Sequence, residues 1–166
     1  MSKMPGNKTK SKKGKTAGVI FPPPFIYLIS IVAGIIVNIA WKMKIFPGIA
    51  MSRVILGIVI ISIAISIFIN AFKTLEKAGT PIRPDKPSLK IVKAGPYRFS
   101  RNPVYLAFSW AQIGIALLLN NAWILIALIP ALLTIHYGVI LREEKYLELK
   151  FGREYLSYKK SVRRWI

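Results

Sequence analysis

Four long apolar runs, at about Phe25–Trp41, Val54–Phe72, Val104–Leu119 and Ala122–Leu141, constrain this chain more than any other feature. Of its 166 residues 54% are hydrophobic, above the share of a little under half that a soluble domain carries. Inside a bilayer every backbone donor and acceptor must be satisfied within the segment, so runs of this length predict helices. The first run, 25–41, rises about 1.5 Å per residue and reaches roughly 26 Å, against a hydrocarbon core of about 30 Å. Tyr27 and Trp41 stand near its ends, where aromatic side chains anchor at the interface. The expected fold class is therefore all-α, a polytopic integral membrane protein of about four transmembrane helices.

Charge then orients the spans. Of 25 Lys and Arg, 22 fall in the first 16 residues, in 73–103 and in 142–166, and only 3 fall in 42–53 or the Asn120-Asn121 turn. By the positive-inside rule both termini and the long central loop face the cytoplasm, and a prokaryotic plasma membrane is the expected location. A formal net charge of +19 would point to nucleic acid in a soluble chain. Here the basic residues flank apolar runs, so anionic lipid headgroups are the expected partner and nucleic acid is not.

Residues 1–21 begin with a Lys-rich stretch lacking acidic side chains, expected to be a disordered basic arm rather than a cleaved signal. Three consecutive prolines, Pro22 to Pro24, cannot lie inside a helix and mark a stiff approach to the bilayer. Residues 22–166 are expected to form one domain. In the second run Gly57, Ser62, Ser66 and Asn70 recur at four- or five-residue spacing, which predicts close helix packing. The loop at 80–103 carries Pro81, Pro84, Pro87 and Pro96, but also Leu89, Ile91 and Val92, so an ordered, membrane-lying segment is expected. Residues 142–166 read as cytoplasmic juxtamembrane helices broken at Gly152.

Chemistry concentrates where polar residues meet the helix mouths. Zero cysteines exclude disulfides and a thiolate nucleophile, and a single histidine argues against a metal site. Lys93 to Tyr105 packs Gly95, Pro96, Tyr97, Arg98, Arg101, Asn102, Pro103 and Tyr105 into one stretch, on the same expected membrane side as Glu143-Glu144. At helical spacing His136, Ile140, Glu143 and Leu147 share a face. Carboxylates at a membrane mouth need a cavity or a partner. Ion pairing of the glutamates with Arg98, Arg101 or Arg142, a packing role for His136, and turn chemistry at Gly95-Pro96 and Asn102-Pro103 are the plain alternatives. The residues alone do not name a reaction.

Three segments in order, G-P-Y-R-F-S-R-N-P-V-Y (Gly95 to Tyr105), Glu143-Glu144 with Leu147, and F-G-R-E-Y-L-S-Y (Phe151 to Tyr158), resemble the isoprenylcysteine carboxyl methyltransferase and phospholipid methyltransferase superfamily. The upstream T-P-I-R-P-D-K-P-S (Thr80 to Ser88) is similar to that family's approach to the motif, and the likeness covers about residues 75 to 165. Asn102 stands where the family commonly has His, and the chain stops at Arg163-Arg164-Trp165-Ile166 without the usual apolar-Pro pair. The resemblance implies S-adenosylmethionine as methyl donor and a lipophilic acceptor drawn from the bilayer, a prenylcysteine-like carboxylate ahead of a phospholipid amine. It implies catalytic roles for Arg101, Asn102, Tyr105 and Glu144. Donor contacts are implied for Gly95, Pro96, Tyr97, Arg98, Asn102, Pro103, His136, Glu143 and Glu144.

Two rival readings remain at this point. Membrane sterol reductases, which use NADPH, are similar to this family in their C-terminal part, but this chain lacks the reductase-like Arg-His-x-Asn-Tyr order and is short for their extra helices. A non-enzymatic scaffold binding anionic lipid would explain the basic arm and tail, but not a cluster of Pro, Gly, Tyr, Arg and paired Glu at helix mouths.

Overall fold

A computed structural model describes residues 22–48, 51–81 and 88–166. The basic arm at 1–21 and the stretch 82–87 of the proline-rich loop lie outside the described residues. Helices α1 (Pro23–Ala40), α2 (Met51–Lys77), α3 (Pro103–Leu119), α4 (Ala122–Ile135), α5 (Leu141–Phe151) and α6 (Arg153–Ser161) are joined by a 3-10 turn at Gly95–Arg98 and a π turn at His136–Ile140. No strand occurs among the described residues, and α1, α2 and the continuous Ala122–Phe151 helix are long and apolar enough to cross a membrane. The fourth apolar helix, α3, has 17 residues.

Several ends differ from expectation. Pro23 and Pro24 sit within the first turn of α1, where a missing amide costs nothing because those amides have no intrahelical acceptor. Helix α2 runs past Phe72 because Ala71 and Leu75, at 0% and 8% exposure, keep one face apolar through the Lys73–Lys77 turn. It ends at Gly79, whose φ of 63° lets Gly79 N donate to Glu76 O at 2.8 Å and Thr80 N to Leu75 O at 3.0 Å. The expected end of the fourth helix at Leu141 is only a change of winding. The chain continues through the π turn to Gly152, where it does stop.

Two close approaches hold the bundle. A Cβ added at Gly114 would stand 2.9 Å from Gly57 O, so α2 and α3 meet backbone to backbone, as the small residues of the second run predict. A Cβ at Gly34 would stand 2.8 Å from Ile124 Cα, which sets α1 against α4 in the same way. Hydrogen bonds tie these apolar elements where water is absent: Ser30 Oγ donates to Gln112 Oε1 at 2.8 Å, and Gln112 Nε2 donates to Ile124 O at 3.0 Å. Tyr27 Oη donates to Tyr105 O at 3.0 Å and shares a hydrogen bond with Ser109 Oγ. At the far end from the glutamates Arg53 caps α3 through Leu117 O and Leu118 O, a cation on a helix C-terminus. The outer faces stay apolar and bare, with Ile36, Ile39 and Ile55 more than half exposed, as a lipid-facing surface requires.

Candidate functional site

A cavity of about 640 Å³ opens where α1 and α3 begin, α2 ends, and α5 and α6 cross. One wall is apolar, formed by Pro22 to Phe25, Phe68, Val104 and Phe108. The polar part of the lining carries Tyr97, Arg101, Asn102, Tyr105, Glu143, Glu144, Tyr155 and Tyr158, and Thr80, Pro81 and residues 88 and 90–92 also line the cavity.

The polar wall is assembled by local geometry. Gly95 has a φ of 54°, and a Cβ there would meet Thr74 Oγ1 at 2.6 Å, so only glycine lets the turn lie against α2. From that anchor the 3-10 turn presents Tyr97, and Tyr158 Oη of α6 donates to Tyr97 O at 2.7 Å. Ser100 Oγ accepts from Asn102 N at 3.1 Å, after which Pro103 starts α3 and places Tyr105 inside its first turn. The end of the chain then crosses this loop, Arg101 N donating to Arg163 O at 3.0 Å and Asn102 Nδ2 to Arg164 O at 2.9 Å.

The two adjacent glutamates occupy different electrostatic settings. Glu144, 5% exposed, receives Arg164 Nε at 2.8 Å and Nη2 at 2.9 Å in a forked pair, with Arg101 Nη1 at 3.0 Å and Lys159 Nζ at 3.9 Å. Glu143 also lines the cavity, and among the described residues its single hydrogen bond comes from the neutral Tyr105 hydroxyl at 2.9 Å. Among the described residues, cations therefore pair with one carboxylate and not with the other. That hydrogen bond to Glu144 holds the Arg164 guanidinium above its usual pKa. Burial pushes the Tyr97 and Tyr158 phenols up, and burial with the nearby Glu144 charge pushes Tyr155 up to about 12. These three hydroxyls stay protonated at neutral pH and act as donors, not as bases. Two buried donors at the cavity, Thr80 Oγ1 and Arg101 Nε, have no hydrogen-bond partner among the described residues.

Seven of the expected site residues meet at the cavity: Tyr97, Arg101, Asn102, Pro103, Tyr105, Glu143 and Glu144. Gly95, Pro96 and Arg98 shape the turn behind it, with Pro96 O accepting from Phe99 N and Ser100 N. His136 is not on the wall, because the π turn inserts one residue between it and Glu143 and rotates it about 100° off the shared face. Its ring packs edge-on against Tyr137 at 4.9 Å instead. Of the expected ion-pair partners, Arg101 does reach Glu144. Sequence reasoning missed Arg164, Lys159, Tyr155 and Tyr158. The three-residue spacing of the two tyrosines was a readable signal, whereas nothing marked Arg164 among the tail's cations.

Over 72 residues the chain is 44% identical to the Protein-S-isoprenylcysteine O-methyltransferase of Saccharomyces cerevisiae, a match covering 43% of this chain and 30% of that protein. It is also 41% identical over 63 residues, or 38% of its length, to the whole of an uncharacterized protein of Haemophilus influenzae. No solved structure matches the chain significantly. The profile of the phospholipid methyltransferase family matches residues 52–154, from the start of α2 through Glu143-Glu144 to the first turn of α6. With more than half of its length matched, the chain belongs to the phospholipid methyltransferase family.

Proposed function

We propose that this protein transfers a methyl group from S-adenosylmethionine to a lipophilic acceptor at the cytoplasmic membrane face, the acceptor being a carboxylate of the prenylcysteine kind. The observation that carries this reading is Glu143, a carboxylate lining the cavity that has no cationic partner among the described residues, beside a Glu144 that has three. An uncompensated carboxylate in a half-apolar cavity favours a ligand that brings positive charge.

The residues present fit the donor's chemistry. Glu143 would take its ammonium, and the unpartnered Thr80 Oγ1 and Arg101 Nε would serve its carboxylate or another ligand oxygen after small side-chain adjustments. Tyr97, Tyr155 and Tyr158 bring aromatic faces, which favour a cation, to the same wall. When bound, S-adenosylmethionine supplies a methyl group activated by its sulfonium. The chain's task is then alignment and exclusion of water, which the crossing tail and the cavity-lining Thr80, Pro81, Ile91 and Val92 serve.

A carboxylate acceptor arrives ionised and needs no general base. That suits a wall whose tyrosines are held protonated and whose Glu144 is tied in ion pairs. The apolar wall of Phe68, Val104 and Phe108 would receive the acceptor's hydrocarbon, and the yeast relative's name, an isoprenylcysteine methyltransferase, points the same way. The excess of basic side chains would hold anionic headgroups nearby.

The test is calorimetric titration of S-adenosylhomocysteine and, separately, of NADPH into the detergent-purified protein. Saturable binding of the first alone is the expected result. Binding of NADPH alone would replace the methyltransferase reading with a reductase, and binding of neither would leave a lipid-binding scaffold.

A further inference from the structure

The residue before α3 has an unusual commitment. Asn102 occupies the N-cap position, where an Asn side chain ordinarily accepts from an amide in the first turn of the helix, yet it makes no such bond. Its amide is turned outward and donates to Arg164 O at 2.9 Å, 62 residues away in sequence. Two neighbours support the same crossing, Arg101 N donating to Arg163 O at 3.0 Å and Ser100 Oγ to Arg164 O at 3.4 Å. Trp165 then packs against the core cluster of Tyr27, Tyr105 and Ile140.

This placement has an electrostatic result. With its carbonyl held by Asn102, Arg164 sends its guanidinium back across the loop to grip both oxygens of Glu144. A long side chain that is 30% exposed would lose much of that geometry if its backbone were free to move. Weakening the fork leaves Arg101 to serve Glu144 without its main partner, and two carboxylates then compete for the same cations beside the cavity.

We propose that Asn102 is a positioning residue, an amide hook that fastens the 162–166 segment as a strap across the cavity so that Arg164 occupies Glu144 and Glu143 is left for the ligand. This rests on the methyl-donor reading above. It gives the Arg-Asn-Pro stretch a mechanical role through the end of the chain, distinct from contact with the reacting atoms.

The absence of cysteine makes the strap directly observable. A nitroxide on Ile166→Cys, a position 68% exposed, reports the strap by spectral mobility without any donor present. The strap should be restrained with Asn102 in place and mobile in Asn102→Ala. It should be equally mobile in Asn102→Asp, which can cap the helix but cannot donate to a carbonyl. Retained restraint in Asn102→Asp would overturn the hook.

Affinity for S-adenosylhomocysteine supplies the second arm, in the parent, Asn102→Ala, a chain ending at Val162, and the two changes together. Asn102→Ala should weaken binding about tenfold, the equivalent of one lost charge-assisted contact. In the shortened chain the same substitution should add nothing, because an effect exerted through the strap disappears with the strap. A further loss of similar size in the shortened chain would show Asn102 touching the ligand itself and would sink the proposal. Should the shortened chain fail to fold, the spectral comparison decides alone. Failure of the parent to bind at all would strike the methyl-donor reading and not the hook, which the nitroxide reports separately.

Discussion

Tyr105 and Glu143 face each other across the helix mouths, the phenol donating to Oε1 at 2.9 Å, and this neutral hydroxyl is the hydrogen-bond donor that the carboxylate has among the described residues. Substitution Tyr105→Phe leaves Glu143 without it. A buried acceptor deprived of its donor costs about 1–3 kcal/mol, so the thermal midpoint should fall. S-adenosylhomocysteine should restore part of the loss by bringing an ammonium to the same oxygen. A midpoint unchanged from the parent would mean that water satisfies Glu143 in the detergent-solubilised protein.

The two glutamates should separate under the same chemical change. Glu143→Gln removes a carboxylate that has no ionic partner among the described residues, so donor-product affinity should drop at least about tenfold while stability holds. Glu144→Gln leaves Arg101 and Arg164 without their anion, and breaking such a buried cluster costs about 3–5 kcal/mol. Paired thermal and calorimetric measurements distinguish the two, and identical profiles would refute the division of labour.

His136 offers a negative control of some force. The π turn directs it off the cavity wall, so His136→Ala should leave S-adenosylhomocysteine affinity within about twofold, well under 1 kcal/mol. A tenfold loss would mean that the helix is wound regularly when the donor is bound.

Alkaline pH should loosen the tail before it harms the helices. The Tyr155 phenol rests at about 12 in the fold against 10.0 in the unfolded chain. Above pH 10 the unfolded chain releases this proton while the fold still holds it, so stability falls as pH rises from 10 toward 12. Tyr97 and Tyr158 are raised in the same direction and for the same cause, burial. Denaturant midpoints measured across that window should decline, and Tyr155→Phe should make the decline shallower. A slope untouched by that change would remove Tyr155 from the account.

Much of the outer form was legible from residue order. Apolar runs gave four helical segments, and Gly57 announced the α2–α3 approach because a missing side chain has few other uses inside a span. Gly152 marked the break between α5 and α6 for a similar reason, its φ of 52° being one that other residues rarely adopt. Helix ends were less readable. The extension of α2 to Lys77 depends on Leu75 finding a buried place, which its polar neighbours in sequence conceal.

Within the site, sequence brought Tyr97, Arg101, Asn102, Tyr105, Glu143 and Glu144 to one end of the bundle because they flank helix mouths. It assigned donor contacts to both glutamates and a catalytic role to Glu144, but adjacent identical residues carry no record of their ionic partners. Only the tertiary structure separated them, by laying the chain's end across Ser100–Asn102 and sending Arg164 to Glu144. His136 was misplaced for a related reason, because a single π turn leaves the local composition unchanged while turning everything before it by about 100°. Periodicity and charge act through near neighbours and can be read along the chain. The ion pairs that decide which carboxylate is free join residues 20 and 43 positions apart, and only folding sets those distances.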